Sequence, residues 1–514
     1  MEPSETAGRS AVGRDSAVPL LVAGLCGALL MALEILASRV LAPHFGNSVY
    51  VWGSIISVFL AAMSVGYAWG GRLADRRPEP LILGRIVLTA AVWILALRLG
   101  GAEVTRSVAD LTGASPGGTL VACLLLFGVP GVLFGMVSPF VIRLAADSLL
   151  RLGKTSGRIY ALSTVGSLAG TLLCTFYAIP RFTVGAILSA LAIGTALTAA
   201  LALAPRSRRE GLLAVLVAVG IVALGSGAER SRAGVLAVRG TAYQTLEVID
   251  RAGVRYLRSD DVTQGAFWID SGDIYTRYID YAAGVFLTTP DARSALAIGM
   301  GGGLLSKVWR RVEPEITIDY VEIDPVIPRV AERYGFWRPH PGDRVHIADG
   351  RRFLAQSDAR WDVIYVDAYI GRSVPFHLTT REFFALARRH LAPGGTLALN
   401  LAAGIGDPFS RSLLHTLRRS FRTTLVFGVR GTGNVLVLGT RESSLDRGEL
   451  AARAQAIAEP EIAADLAEIA RRLVYWEYEA RDVIELRDDF APAEHLVTLG
   501  ERDFDLERFG SAPD

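Results

Sequence analysis

Ala295-Leu-Ala-Ile-Gly-Met-Gly-Gly-Gly303, Tyr320-Val-Glu-Ile-Asp324, Val345-His-Ile-Ala-Asp-Gly350 and Val363-Ile-Tyr-Val-Asp367 are four short apolar runs, each ending in glycine or carboxylate. Helix-like segments separate them. That alternation reads as parallel strands of an α/β sheet. Ligands in such sheets bind outside the carboxyl ends of the strands, so all four endings are expected to line one crevice.

Outward from this stretch the chain changes character. It has 514 residues, too many for one ordinary domain. Mean hydropathy is +0.36, and the excess lies in residues 18–227. A bilayer span needs about 20 mostly apolar residues. Candidates are 18–38, 49–71, 81–100, 119–142, 158–179, 183–204 and 211–227, the last being the shortest. Arginines crowd alternate connections: Arg72, Arg76 and Arg77, then Arg143, Arg151, Lys154 and Arg158, then Arg206, Arg208 and Arg209. The positive-inside rule places these connections, and the N-terminus, in the cytoplasm. Six spans return the chain there; seven do not. Because nucleotide-type cofactors are made in the cytoplasm, the C-terminal α/β domain is expected on that side. Glu34 and Arg39 interrupt the first span and are functional candidates; internal pairing of Glu34 and snorkelling of Arg39 is the structural alternative.

A net charge of +2 gives no nucleic-acid-binding surface. The three cysteines, Cys26, Cys123 and Cys174, all lie in the apolar half. Neither a disulfide framework nor a cysteine metal site can form in the C-terminal half. No histidine spacing indicates a metal.

Within the crevice, Gly299, Gly301, Gly302 and Gly303 let the backbone turn sharply and approach a ligand. Their spacing is not the dinucleotide fingerprint, and alone they fit a tight strand–helix turn. Glu322, ending the second strand, is placed to accept from both hydroxyls of a ribose. Asp349, followed by Gly350, can accept from an exocyclic amine. Together they favour an adenosine-containing cofactor. Asp367 ends the fourth strand, where it can serve as a general base, attract a cation, or cap a turn. His377 reads as a turn residue ahead of a helix beginning near Thr379 or Thr380.

Two resemblances follow from these residues. The run Glu34-Ile-Leu-Ala-Ser-Arg-Val-Leu-Ala-Pro43-His-Phe-Gly46, with Trp52 and Gly66-Tyr-Ala-Trp-Gly-Gly-Arg-Leu-Ala-Asp75-Arg76, resembles the opening of fused major facilitator–spermidine synthase membrane proteins. The ordered set of glycine-rich turn, Glu322-Ile-Asp324-Pro325, Asp349-Gly350-Arg351, Asp367-Ala-Tyr369 and Pro393-Gly394-Gly395 is similar to the spermidine synthase family. The tail Leu486-Arg-Asp488-Asp489-Phe490-Ala-Pro492-Ala-Glu494 resembles the ending of the membrane fusions. The resemblance implies a β-lid on a Rossmann-like, methyltransferase-type fold. It also implies aminopropyl transfer from decarboxylated S-adenosylmethionine to an amine. Gln264 corresponds to a lid glutamine facing the cofactor, Glu322 to the ribose-binding carboxylate, Asp349 to the adenine-contacting aspartate and Asp367 to the catalytic aspartate. Tyr278, Tyr281 and Tyr369 are the substrate-binding candidates. Soluble members carry a second aspartate where Ile370 stands, and their Tyr-His-Glu after the lid is absent here.

The expected fold is an N-terminal all-α transmembrane bundle joined to a C-terminal α/β Rossmann-like domain with a small β-lid. Its divisions are a disordered tail at 1–17, six or seven spans in 18–227, linker and β-lid in 228–290, the spermidine synthase-type domain in 291–440, and a helical extension in 441–514. Strand-like pieces at Tyr243–Val248, Val254–Leu257 and Ala266–Ile269 build the lid after a linker at 230–238. The expected protein is a multi-pass cell-membrane enzyme in contact with lipid, acting on a small amine, with a homodimer as its further partner. Two other readings stand beside this one: an S-adenosylmethionine-dependent methyltransferase, since fold does not fix chemistry, and a transporter or sensor with a nucleoside-binding domain.

Overall fold

The computed structural model describes residues 17–46, 48–112, 115–145, 152–228, 234–260, 262–368, 375–402, 406–441, 445–457, 459–474 and 483–491, with Ala493 and Leu496. The chain divides into two compact units. One comprises Met1–Ala233 with Val238–Thr245, the other Gly234–Ala237 with Leu246–Asp514.

The first unit is helical: α1 (Ala17–Phe45), α2 (Val49–Arg76), α3 (Pro80–Thr112), α4 (Pro116–Ala145), α5 (Leu152–Leu172, continued by a π-helical turn Leu173–Ala178), α6 (Val184–Leu203) and α7 (Arg208–Ala228). Small residues let the backbones meet. A Cβ on Gly66 would lie 2.9 Å from Gly135 Cα, and one on Gly70 2.6 Å from Met136 Cα, which brings α2 and α4 together. Gly166 and Gly170 of α5 are equally tight against Gly24 and Ala28 of α1. Such Gly-x-x-x-Gly faces are how apolar helices pack without a hydrophobic driving force between them. Among the described residues, six helices are long and apolar enough to cross a membrane, from α1 to α6. The segment expected as a seventh span, 211–227, is helical in α7 and is not among the six. Arg143 at the end of α4 reaches Asp75 at the end of α2 at 3.5 Å, tying together the two arginine-rich ends.

After the helices the chain forms a four-stranded sheet in the order β1 (Val235–Gly240), β2 (Thr245–Arg251), β3 (Val254–Ser259), β4 (Val262–Trp268), of which β3, β4 and all of β2 but Thr245 belong to the second unit. Residues 235–238, read from sequence as linker, already form strand. The turn of helix α8 (Arg277–Asp280) and a 3-10 segment Tyr281–Leu287 lead into the α/β domain. Its elements are β5 (Ser294–Ile298), α9 (Leu305–Val312), β6 (Thr317–Glu322), α10 (Val326–Arg333), β7 (Arg344–Ile347), α11 (Gly350–Gln356), β8 (Trp361–Val366), α12 (Arg381–Arg389), β9 (Leu391–Leu401), α13 (Pro408–Arg418), β10 (Thr423–Gly428) and β11 (Val435–Thr440). Helices α14 (Arg447–Gln455) and α15 (Pro460–Arg471) follow, where the sequence reads as helical.

The seven-stranded sheet runs β10-β11-β9-β8-β5-β6-β7. Strands β5 to β9 pair in parallel, and β11 is antiparallel to both β9 and β10. Alternate residues of a strand face opposite sides. Ala295, Ala297, Tyr365 and Ala398 pack into one core with Trp309 of α9; Leu296, Ile298, Ile364 and Leu397 pack into the other with Phe383 and Phe384 of α12. Burial on both faces explains why these strands are continuous apolar runs. The α/β half expected from the four strand endings is therefore the one that forms.

Candidate active site

The four endings converge as the sheet requires. β5 lies between β6 and β8, so its glycine turn is flanked by Glu322 on one side and Asp367 on the other. Gly299 N donates to Val321 O at 2.9 Å, and Asp367 N donates to Ile298 O at 2.9 Å. Gly299 has φ +92°, and a Cβ there would sit 2.2 Å from Asp367 O. Only glycine fits that position. Gly301 and Gly303 also have positive φ. Gly301 approaches the lid: a Cβ on it would be 3.5 Å from Gln264 O. Gly350 lies against the same turn from below, its missing Cβ replaced by Ile298 Cγ2.

Glu322 is 6% exposed. Its Oε2 accepts from Met300 N at 3.0 Å and its Oε1 from Asp324 N at 2.9 Å. These bonds lock the carboxylate plane and leave each oxygen a further lone pair for a ligand hydroxyl. Burial raises the Glu322 pKa, and the two backbone N–H groups work against that rise.

Asp349 is the N-cap of α11: its Oδ1 accepts from Arg352 N at 2.9 Å. Its Oδ2 meets His377 Nε2 at 2.9 Å. His377, read from sequence as a turn residue, does sit in a 3-10 turn, Phe376–Leu378, yet its ring holds this carboxylate. Thr380 caps α12, as expected of that stretch.

Asp367 Oδ1 accepts from Asn400 Nδ2 at 2.8 Å, and Asn400 Oδ1 accepts from Asn434 Nδ2 at 3.0 Å. Burial raises the Asp367 pKa to about 6, against the pull of the Asn400 amide. A carboxylate in that range is ionised near neutral pH and still basic enough to take a proton. The sequence pattern does not single out Asn400 or Asn434. The one available signal was an amide ending the apolar run Leu397-Ala-Leu-Asn400, on the strand beside Asp367.

The acceptor-side candidates separate. Tyr278 OH donates to Gln264 O at 3.1 Å, which keeps it at the lid edge of the crevice. Tyr281 is buried and its hydroxyl accepts from Arg430 N at 3.3 Å. It borders a different cavity, of about 760 Å³, between α8, α9 and α15. Tyr369 and Ile370 lie outside the described residues. Among the described residues, no group of three or more His, Cys, Asp or Glu side chains is arranged to hold a metal ion.

Comparison with known proteins adds to this geometry. No family model matches the chain. A polyamine aminopropyltransferase of Vibrio vulnificus is 30% identical over 231 residues, covering 42% of this chain and 75% of that enzyme. One of Oceanobacillus iheyensis is 24% identical over 437 residues, 78% of this chain and 80% of the relative, an alignment too long to fit within the α/β half. Among solved structures, a probable spermidine synthase of Corynebacterium glutamicum aligns with TM-score 0.38 and 17% identity, over 48% of this chain and 98% of that one. With three quarters of the Vibrio enzyme matched at that identity, the chain belongs to the polyamine aminopropyltransferase family.

Proposed function

We propose that this protein is a membrane-anchored, spermidine synthase-like aminopropyltransferase that moves an aminopropyl group from decarboxylated S-adenosylmethionine to an amine. The transfer is a direct displacement. The acceptor nitrogen forms the new N–C bond, the C–S bond breaks, and its electron pair leaves with sulfur as methylthioadenosine. The amine proton passes to Asp367. Glu322 holds the ribose hydroxyls, Asp349 the adenine amine, and Gln264 with Gly299, Gly301, Gly303 and Gly350 shapes the pocket around the nucleoside. Tyr278 borders the acceptor side, Tyr369 is the remaining acceptor-side candidate, and Tyr281, which lines the other cavity, is not one. Orientation of amine and sulfonium carbon supplies much of the rate.

The observation that carries this reading is the Asp367 carboxylate, raised to about 6 and held by Asn400 beside the glycine turn. Ile370 stands where a second carboxylate would anchor a distal ammonium, so the acceptor we propose is an amine other than putrescine. The same residue favours one alternative, methyl transfer from S-adenosylmethionine. Six spans would return the chain to the side of its N-terminus, which the arginine pattern assigns to the cytoplasm. The helical half, with its fused-transporter resemblance, serves as the anchor in lipid.

Incubating the purified full-length protein with each sulfonium donor and a panel of amines separates the readings by product. Methylthioadenosine supports aminopropyl transfer, and S-adenosylhomocysteine supports methyl transfer. Neither product would leave a ligand-binding transporter or sensor.

A further inference from the structure

The C-terminal segment 483–491 crosses the outer face of the α/β domain as a strap. Its backbone is tied at four points, one of them Asp488 N, which donates to Glu382 Oε2 at 3.1 Å. Ile484 N donates to Ser412 Oγ at 3.2 Å, Leu486 N to Thr416 Oγ1 at 2.9 Å, and Leu486 O accepts from Arg381 N at 2.8 Å. The Leu486 side chain is fully buried in the core that holds Phe383 and Phe384. Two residues on, the Asp488 carboxylate receives Arg351 in a fork, at 2.6 Å to Nη1 and 2.5 Å to Nη2. It also accepts from Thr380 Oγ1 at 2.7 Å. The Arg351 fork holds the Asp488 carboxyl below the usual carboxylate range.

Arg351 does not stop at Asp488. Its Nη1 also donates to His377 O at 3.0 Å, and the His377 ring meets Asp349 Oδ2 at 2.9 Å. One carboxylate on the strap therefore gathers the first turn of α11, the 3-10 turn and the cap of α12. That grouping ends on the carboxylate assigned to the nucleoside base. A bidentate arginine fixes direction as well as distance.

We propose that Asp488 is a positioning residue, acting through Arg351 and His377 to hold the Asp349 carboxylate in the orientation that receives the adenine amine. The inference rests on the nucleoside-site reading above. The strap makes cofactor affinity depend on a segment more than a hundred residues from Asp349 in sequence.

The test uses the full-length protein in detergent and methylthioadenosine as the probe. Asp488→Asn keeps the size of the side chain and removes its charge. Its dissociation constant for methylthioadenosine, and its KM for the sulfonium donor, should rise about tenfold, as expected for one lost charge-assisted hydrogen bond. Its kcat should stay within about twofold of wild type, since the reacting atoms are untouched. Asp489→Asn, one residue along and pointing to Arg487, should change neither constant. His377→Ala should weaken binding similarly, and the double variant should lose no more than either single change, because both act through one chain. Should Asp488→Asn fail to fold, Arg351→Lys, which breaks the fork to Asp488 and keeps the charge, is measured in its place with the same tenfold rise expected. Unchanged affinity in the folded variants, a fall in kcat without a change in KM, or additive losses would overturn the inference while leaving the site reading intact. Failure of the wild type to bind methylthioadenosine would overturn the site reading itself, and the inference with it.

Discussion

Asp367 combines burial, one amide donor and a place beside the glycine turn. Its pKa of about 6 lies above that of an unfolded-chain aspartate. A carboxyl raised in this way stabilises the fold below the unfolded value and loses that contribution as pH rises through 6. The ionised form at neutral pH is thus held at a cost in stability, a common arrangement at sites of proton transfer. The Asn400 amide favours the charged form, so removing it should push the pKa further up. Asn400→Ala should therefore move the acid limb of the kcat/KM profile to higher pH, with a severe loss near pH ~6 and a slight one near ~8.5. A pH profile of the variant checks this; an unmoved limb with uniformly lower rates would mean that Asn400 does not set the Asp367 pKa. The sequence shows Asp367 plainly because its own apolar strand ends there. It hides Asn400 and Asn434 because their contacts cross strands, 33 and 34 residues apart, and leave no local pattern. From sequence, Asp349 reads as a ligand residue. Its N-cap role adds a local reason for an aspartate there, since the side chain satisfies one orphan N–H of α11.

At the scale of elements, the β5–α9 turn does the most to shape the crevice. Gly299 combines a positive φ with the closest approach to the Asp367 backbone. Gly299→Ala should destabilise the protein by at least about 1–2 kcal/mol from the backbone conformation alone. It should also displace the end of β8 and weaken nucleoside binding. Thermal unfolding in detergent, with methylthioadenosine binding, checks both effects; an unperturbed variant would mean the turn relaxes freely. The parallel strands were legible because burial on both faces leaves uninterrupted apolar runs with polar endings. Strand β1 was not, since Val235-Leu-Ala-Val238 follows a polar, arginine-bearing linker and is only partly buried. Tyr281 was grouped with Tyr278 by nearness in sequence, but the turn of helix α8 sends the two rings to different places.

For the whole molecule, the six long apolar helices and the alternate arginine-rich connections bear on which side of a membrane the α/β unit occupies. With six spans and arginine-rich connections facing the cytoplasm, both termini are expected on the cytoplasmic side. A reporter fused after Asp514 should therefore be active only in a cytoplasmic assay; activity outside would mean that α7, a 21-residue helix that is not among the six, also crosses. The 437-residue alignment with the Oceanobacillus relative is longer than the α/β half, so it reaches into the helical half of this chain.

The most direct measurement of the central claim compares wild type with Asp367→Asn for methylthioadenosine release from decarboxylated S-adenosylmethionine in the presence of an amine. Donor binding is followed in the same samples. Our account predicts release of methylthioadenosine with an aminopropylated amine in wild type, and loss of turnover with donor affinity kept in the variant. Full turnover by Asp367→Asn, or S-adenosylhomocysteine from S-adenosylmethionine as the sole nucleoside product of the wild type, would contradict it.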